Sequence, residues 1–268
     1  MFYLRQTFNR HLCRHLSIRF KSIKDTNVWT QSAKCFHLTE CMNKTTLKNT
    51  SGKSQSSQDW LRRQMNDPYV KKARYNNYRA RSVFKLMEMD NKYQILHPSM
   101  IVVECGAAPG SWTQYIVKQL KLDAENTYPT GAVIAIDMRA INPIAGAIIM
   151  DNMDFTKPLN QSKILHALNG KLVDVVVSDM APNASGNRDY DSTAIHNLCY
   201  SVLQFSLTVL KPISGTFLTK IWAGNDTEKF IHHLNQFFNE VTHLRPDACR
   251  ADSTESYIMG RYFKGIQT

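Results

Sequence analysis

Short apolar runs alternate with helical segments from residue 101 onward, and this alternation limits the possible folds more than any other feature of the chain. Residues 101–105 form the first run, and others follow at 132–136, 147–150, 173–178, 215–220, 240–244 and 256–263. Helical periodicity is found at about 111–121, 194–210 and 227–239. Runs this short, separated by helices, predict an α/β protein with a Rossmann-like, doubly wound sheet of about seven strands.

The first apolar run leads into a glycine turn, Gly106-Ala107-Ala108-Pro109-Gly110, and then into a helix. In doubly wound sheets, ligands bind at the carboxyl ends of the strands, where small residues allow the backbone to come close. This turn lacks the third glycine of a dinucleotide fingerprint, and Pro109 has no N–H to offer a pyrophosphate. S-adenosylmethionine has no phosphate and suits such a turn better. A structural turn without a ligand is the alternative.

Acidic residues follow three successive runs: Asp137, Asp154 and Asp179. Because the carboxyl ends of parallel strands meet at one edge, these carboxylates are expected to converge on one crevice. Asp137 is placed to accept hydrogen bonds from ribose hydroxyls. A cationic sulfonium ligand would make such crowding of negative charge tolerable. For Asp154 a role as a helix cap near Lys157 is an equal alternative.

Positive charge is concentrated in the first third of the chain. Residues 1–85 contain 18 Lys and Arg against four acids, whereas residues 86–268 contain 15 against 18. Residues 1–24 contain no acid, and apolar residues recur between their arginines at roughly helical spacing. This composition predicts a mitochondrial transit segment and therefore the mitochondrial matrix. A basic RNA-binding tail is the alternative.

The organised part of the chain is predicted to begin at residue 59. Residues 25–58 are polar and have little to bury, which is typical of a linker. Residues 59–266 are then expected to form one domain. No apolar stretch approaches the roughly 18–20 residues that a membrane-spanning helix requires, so no membrane span is predicted.

Residues 59–85 combine many cations with three interleaved tyrosines, Tyr69, Tyr75 and Tyr78. Cations suit phosphates, and exposed aromatic rings suit unstacked bases, so the segment is a candidate RNA-binding arm. The alternative is a solvated helical segment whose tyrosines pack on the core.

Four further segments complete a pattern, and each carries one charged residue that can act in catalysis. They are 81–86, 178–183, 217–221 and 253–257. Together with the turn 106–112, and in this order, they resemble the FtsJ/RrmJ family of ribose 2′-O-methyltransferases over about residues 60–265. The likeness is strongest to its branch for uridine in mitochondrial large-subunit rRNA. The resemblance implies a class I methyltransferase sheet with its last strand antiparallel.

By this resemblance, the family's catalytic tetrad corresponds to Lys85, Asp179, Lys220 and Glu255. The positions matching cofactor-binding residues are Gly106, Pro109, Gly110, Ser111, Trp112, Asp137, Asp154, Phe155 and Asp179. The implied cofactor is S-adenosyl-L-methionine, and the implied partner is ribosomal RNA within the mitochondrial large subunit or its precursor. No metal is implied. Glu104 stands where the family commonly has aspartate, and Ser111 where it commonly has glycine.

Lys220 matches the family's proton acceptor, but its charge state is open at this point. A lysine titrates near about 10.4 in water, so it is a poor base unless it is perturbed. Burial and the ammonium of Lys85 would lower its pKa, whereas Asp179 and Glu255 would raise it. Lys220 could instead stay charged and stabilise a developing alkoxide.

Three other functions compete with ribosomal RNA methylation. A nicotinamide-dependent oxidoreductase would share the Rossmann-like sheet, but the glycine fingerprint is incomplete. A non-catalytic mitochondrial ribosome-assembly factor would have no need of an intact tetrad. An mRNA cap ribose methyltransferase uses a similar tetrad, but it does not fit the transit-like N-terminus.

The transit interpretation makes a testable prediction about residues 1–24. A fluorescent reporter fused to residues 1–45 should accumulate in mitochondria of living cells, because the acid-free basic segment favours import. The same fusion with its arginines changed to glutamine is the control and should remain outside. A reporter that stays in the cytosol would refute the targeting role.

Overall fold

The computed structural model describes residues 54–123, 131–183, 185–222, 224 and 226–266. These residues belong to one unit, Thr46–Thr268. The predicted transit segment, 1–24, and most of the predicted linker, 25–58, lie outside the described residues.

The described residues form one seven-stranded sheet in the order β3-β2-β1-β4-β5-β7-β6. Its strands are β1 (Ile101–Cys105), β2 (Ala132–Ile136), β3 (Ala147–Met150), β4 (Val175–Ser178), β5 (Thr216–Trp222), β6 (Phe238–Leu244) and β7 (Glu255–Phe263). Strands β1 to β5 pair in parallel. Strand β7 lies antiparallel between β5 and β6. The predicted α/β sheet with an antiparallel last strand is confirmed.

Helices connect the strands and precede the sheet. They are α1 (Gln55–Asn66), α2 (Pro68–Tyr75), α3 (Val83–Tyr93), α4 (Ser111–Gln119), α5 (Pro158–Leu168), α6 (Arg188–Val209) and α7 (Thr227–Phe237). Helix α2 starts separately from α1, with the Asp67 carboxylate as its cap, which accepts from the Tyr69 and Val70 N–H groups. No helix among the described residues is long and apolar enough to cross a membrane.

The sheet separates two apolar layers, and alternate residues of each strand point into different layers. Val103 and Phe217 lie in the layer formed with α5, α6 and α7, whereas Val102 and Leu218 lie in the layer formed with α3 and α4. Successive side chains of a strand point to opposite faces, so a central strand covered on both faces is a continuous apolar run. This is why the apolar runs located the strands so well.

The end of α3 is fastened to the rest of the domain by the buried carboxylate of Asp90. It accepts hydrogen bonds from the backbone N–H groups of Ile95 and Leu96, both at 2.8 Å, and from the Tyr115 hydroxyl at 2.7 Å. These bonds fix the chain between α3, which carries Lys85, and β1, which leads to the glycine turn.

Replacing this carboxylate should destabilise the whole domain. We expect Asp90→Ala to lower the free energy of unfolding by about 2–4 kcal/mol, because it leaves two buried backbone donors and one hydroxyl without an acceptor. Urea denaturation of the full chain measures this value. Asp123→Ala removes an exposed carboxylate and is the matched control. Equal stability of the two variants would contradict the role given to Asp90.

Candidate active site

The carboxyl ends of β1, β2 and β4 form one edge of the sheet, and the predicted site residues gather there. The turn after β1 contains Gly106 and Gly110, both with positive φ values, 79° and 104°. A Cβ atom on Gly106 would lie 2.7–2.9 Å from Met180, in the loop that follows β4. Only glycine therefore allows the two loops to approach this closely.

The four predicted catalytic residues meet at this edge as two ion pairs. The Lys220 ammonium lies 2.9 Å from the Asp179 carboxylate and also donates to the Asp179 backbone carbonyl at 2.9 Å. The Lys85 ammonium donates to the Glu255 carboxylate at 2.5 Å. All four side chains are between 11% and 16% exposed, so these charges are mostly withdrawn from water and depend on their partners.

The hydroxyl of Tyr257 joins the two ion pairs, a contact that was not predicted from the sequence. It lies 2.7 Å from both the Asp179 and the Glu255 carboxylates. Because the hydroxyl carries one proton, it donates to one carboxylate at a time. Glu255 and Tyr257 are two residues apart on β7, and Tyr257 pairs directly with Lys220 on β5. That alternation in the 253–257 segment was the available signal.

The two ion pairs set the charge states of Asp179 and Lys220. Burial by itself would raise the pKa of Asp179, but the ammonium groups of Lys220 and Lys85 outweigh it and the pKa lies below its usual value. Burial would likewise lower the pKa of Lys220, but Asp179 and Glu255 outweigh it and the pKa is raised. Both shifts favour the charged forms, an Asp179 carboxylate and a Lys220 ammonium.

A pocket of about 430 Å³ lies beside Lys220 and Asp179. This volume is within the range of small-molecule sites, about 300–1,000 Å³. Its lining includes five of the predicted cofactor positions, Gly106, Asp137, Asp154, Phe155 and Asp179. It also includes the predicted catalytic residue Lys220 and ten residues that were not predicted, namely Ala108, Ile136, Met138, Arg139, Met153, Thr156, Met180, Ala181, Asn183 and Leu198.

Asp137 and Asp154 hold their positions through hydrogen bonds from the backbone. The Asp137 carboxylate accepts from the Ala108 and Arg139 N–H groups, both at 2.8 Å. Asp154 accepts from the Thr156 hydroxyl at 2.7 Å and the Thr156 N–H at 2.9 Å. The Thr156 hydroxyl is the largest influence that lowers the Asp154 pKa. Asp154 thus organises its own loop and lines the pocket as well.

The other four predicted cofactor positions lie outside the lining of this pocket. The Pro109 carbonyl accepts from Arg79 at 3.0 Å. A Cβ on Gly110 would meet Ile144 at 2.7 Å and Arg79 at 2.8 Å. Ser111 and Trp112 are buried, and both bond to Ser82, which immediately precedes α3.

Ser111 and Trp112 thus connect the helix after the glycine turn with the helix that carries Lys85. The Trp112 ring also lies 5.9 Å from the ring of Tyr257. Phe155 lines the pocket, but its ring packs edge-on against Phe205 in the core at 5.3 Å.

Glu104 lies on β1, two residues before the glycine turn, with 1% of its surface exposed. One of its carboxyl oxygens accepts from the Thr113 hydroxyl at 2.6 Å, and the other has no hydrogen-bond partner among the described residues. Burial raises the pKa of Glu104 to about 8, and the charges of Asp179 and Asp137 act in the same direction. The side chain is therefore largely protonated at neutral pH.

Comparison with known proteins assigns the chain to one family. Residues 78–263 match the FtsJ-like methyltransferase family. The chain belongs to that family. This match confirms the family predicted from the sequence. The matched range also contains the four residues of the predicted tetrad. Membership of a methyltransferase family decides against a nicotinamide-dependent oxidoreductase.

Relatives within the FtsJ-like family are similar over most of their length. A Drosophila melanogaster protein named mitochondrial rRNA methyltransferase 2 is 46% identical over 219 residues, 81% of this chain and 87% of that one. A ribosomal RNA large subunit methyltransferase E from Xanthobacter autotrophicus is 39% identical over 222 residues, 83% of this chain and 85% of its own. A crystal structure described as a ribosomal RNA methyltransferase from Plasmodium falciparum has a TM-score of 0.60 and 28% identity, and it covers 70% of this chain and all of that one.

The buried carboxyl group of Glu104 predicts a pH dependence of stability. Between the ordinary pKa of 4.5 and about 8, the folded state binds more protons than the unfolded state. The free energy of unfolding should therefore fall as pH rises through this window, by up to about 1.4 kcal/mol per pH unit for one proton. Glu104→Gln keeps the shape without the ionisation and should remove this slope.

Urea unfolding of both proteins from pH 5 to pH 9 measures the difference. The advantage of Glu104→Gln over the natural protein should grow with pH and level off above about pH 8. A difference that stays constant across the range would contradict the raised pKa.

Proposed function

We propose that this protein transfers a methyl group from S-adenosyl-L-methionine to a ribose 2′-hydroxyl in mitochondrial large-subunit rRNA. The proposed acceptor nucleoside is a uridine. The observation that carries the proposal is the chain of paired charges from Lys85 through Glu255, Tyr257 and Asp179 to Lys220, with its Lys220 end in the wall of the pocket. The supporting relatives are named for rRNA methylation, and one is named mitochondrial. The proposed location is the mitochondrial matrix.

The residues of the pocket fit S-adenosylmethionine by their chemistry. Asp137, which is 8% exposed and fixed by two backbone N–H groups, retains lone pairs that can accept from ribose hydroxyls. Asp154 and Asp179 put further negative charge in the same pocket, which favours a ligand with a sulfonium and an ammonium group. Met138 and Met153 offer apolar contact for a purine ring. When bound, the cofactor supplies an activated methyl group.

Lys220 is proposed to stabilise the negative charge that develops on the acceptor oxygen. The Asp179 carboxylate and carbonyl engage two of the three ammonium N–H donors, which leaves one for the acceptor. Bound S-adenosylmethionine would supply the methyl group and leave without it, and the proton of the acceptor hydroxyl would pass to water. A preorganised ammonium in a mostly buried site is effective because it needs no reorganisation during the reaction.

Lys85 and Glu255 are proposed to bind and orient the acceptor ribose. They line a second cavity of about 340 Å³, together with Arg81 and Arg250. Lys220 and Asp179 line the cofactor pocket, so the tetrad borders both cavities. We assign the pocket to the methyl donor and the second cavity to the acceptor ribose, because methyl transfer requires the two to be held together in a fixed orientation.

The second candidate is a role in ribosome assembly that does not depend on catalysis. It is proposed only in addition to methyl transfer. Exposed cations on α1 and α2 would bind rRNA whether or not methyl transfer occurs. The paired tetrad, however, has no evident purpose in a scaffold, because buried ion pairs contribute little net stability. The mRNA cap alternative receives no support from the names of the relatives.

Lys220 variants test the chemistry. We expect Lys220→Ala to bind S-adenosylmethionine nearly normally and to lower single-turnover methyl transfer to an rRNA fragment by about 10²-fold or more. Lys220→Arg keeps the positive charge but does not readily lose a proton, so it should recover part of the rate.

A matched control is Lys211→Ala, which removes the lysine of another ion pair, Lys211 with Asp174 at 2.6 Å, near the amino end of β4. Its methyl-transfer rate should equal that of the natural protein. An arginine variant as inactive as the alanine variant would assign Lys220 as the base instead. A fully active Lys220→Ala would contradict the tetrad.

A further inference from the structure

We propose that Tyr75 is a stacking platform for an unpaired base of the RNA substrate. The inference rests on the proposed function and extends it, because it assigns one contact of the RNA to one side chain. The site lies at the end of α2, outside the tetrad and the cofactor pocket. Its ligand is the flat face of a nucleobase in a single-stranded segment.

The three tyrosines of the basic segment have different surroundings, and only one is available to a ligand. The Tyr69 ring lies 5.5 Å from the ring of Phe84, and its hydroxyl donates to Glu88. The Tyr78 ring packs edge-on against the same Phe84 at 6.4 Å. Tyr75, in contrast, is 88% exposed. Two of the tyrosines thus belong to the core, as the alternative interpretation of this segment held, and the third does not.

The backbone around Tyr75 is held firmly even though its ring is exposed. Tyr75 is the last residue of α2, and the turn that follows is closed by a hydrogen bond from the Tyr78 N–H to the Ala73 carbonyl at 2.8 Å. The Gln114 amide donates to the Asn77 carbonyl at 3.1 Å and accepts from the Arg79 N–H at 2.9 Å.

Gln114 belongs to α4, the helix that starts at the glycine turn. The Arg79 guanidinium also donates to the Pro109 carbonyl in that turn at 3.0 Å. The turn that follows Tyr75 is therefore fastened to the loop beside the cofactor pocket. A base stacked on Tyr75 would be held at a fixed distance from the methyl donor, and little loop ordering would oppose binding.

The charges around Tyr75 favour a nucleic acid over other partners. Lys71 and Lys72 lie one helical turn before it and Arg74 directly before it, and all three are exposed. The sequence has no acid between Asp67 and Glu88. Cations here can bind the phosphates that flank a base while the ring contacts its face.

Stacking of this kind selects single strands. In a double helix the faces of the bases are covered by their neighbours, and only an unpaired base can lie on an aromatic side chain. An exposed tyrosine in a cluster of cations thus discriminates single-stranded from double-stranded RNA, which the cations alone cannot do.

The decisive experiment measures binding of the full chain to a single-stranded rRNA fragment over a range of salt concentrations. Tyr75→Ala should bind about 5- to 150-fold more weakly, the cost of losing one base–aromatic contact. The slope of log affinity against log salt should not change, because no phosphate contact is removed. Lys71→Ala should reduce that slope. S-adenosylmethionine affinity should be the same in all variants.

Conservative variants show whether the ring face matters. Tyr75→Phe and Tyr75→Trp should retain the affinity, whereas Tyr75→Leu should behave like Tyr75→Ala. Binding to a perfect duplex should be unaffected by any of them. The matched control is Tyr190→Ala, which removes another exposed tyrosine, at 65% exposure, that lies between Asp189 and Asp191.

The outcomes separate this proposal from the proposed function. If the natural protein binds and methylates rRNA and Tyr75→Ala does so equally well, only the platform is overturned. Recovery by leucine, or an equal loss of duplex binding, also overturns it. A natural protein that neither binds nor methylates rRNA contradicts the proposed function itself.

Discussion

The pairing of buried ammonium and carboxylate groups at the carboxyl edge of the sheet is the constraint on which the rest of the site depends. Two lysines and two acids, each mostly withdrawn from water, are tolerated only because each cation lies within 3 Å of an anion. Removing one partner would leave an uncompensated buried charge, which costs about 3–5 kcal/mol. The chain therefore has to bring α3, β4, β5 and β7 to one point with little freedom.

The antiparallel strand β7 makes this convergence possible. In a wholly parallel sheet, only the strand ends and the loops after them would reach the crevice. Inserted antiparallel between β5 and β6, strand β7 begins at the same edge, and its first residue is Glu255. The pairing of Tyr257 with Lys220 then puts the tyrosine hydroxyl between the two carboxylates. The antiparallel strand β7 thus supplies Glu255, one of the two carboxylates of the tetrad.

Much of the fold could be predicted from the sequence, for definite physical reasons, and the four residues that the family resemblance indicated do lie together. Strands such as β1 and β2 are covered on both faces, so their apolar runs have the same bounds as the strands. Val173 was predicted to start β4, but it forms only an isolated bridge to Leu210, and the strand begins at Val175. Helix α6 begins at Arg188, earlier than the predicted residue 194, with Asn187 as its cap. The hydrophobic pattern did not indicate the first turns because they carry polar residues.

The remaining parts of the site depend on side-chain packing between distant segments, which no local pattern encodes. The contact of Tyr257 with Asp179 joins residues 78 positions apart. Ser111 and Trp112 face Ser82 rather than the pocket, which depends on how α4 packs against α3. The raised pKa of Lys220 follows from the balance between burial and two carboxylates, and only their positions decide it.

The proposed acceptor of the methyl group is a ribose 2′-hydroxyl of rRNA. The most direct measurement incubates the full chain with an rRNA fragment and S-adenosylmethionine carrying a labelled methyl group, digests the RNA to nucleosides and identifies the labelled product by mass spectrometry. We expect the label on the ribose of a single nucleoside, as a 2′-O-methyl group. Label on a base, with none on ribose, would contradict it.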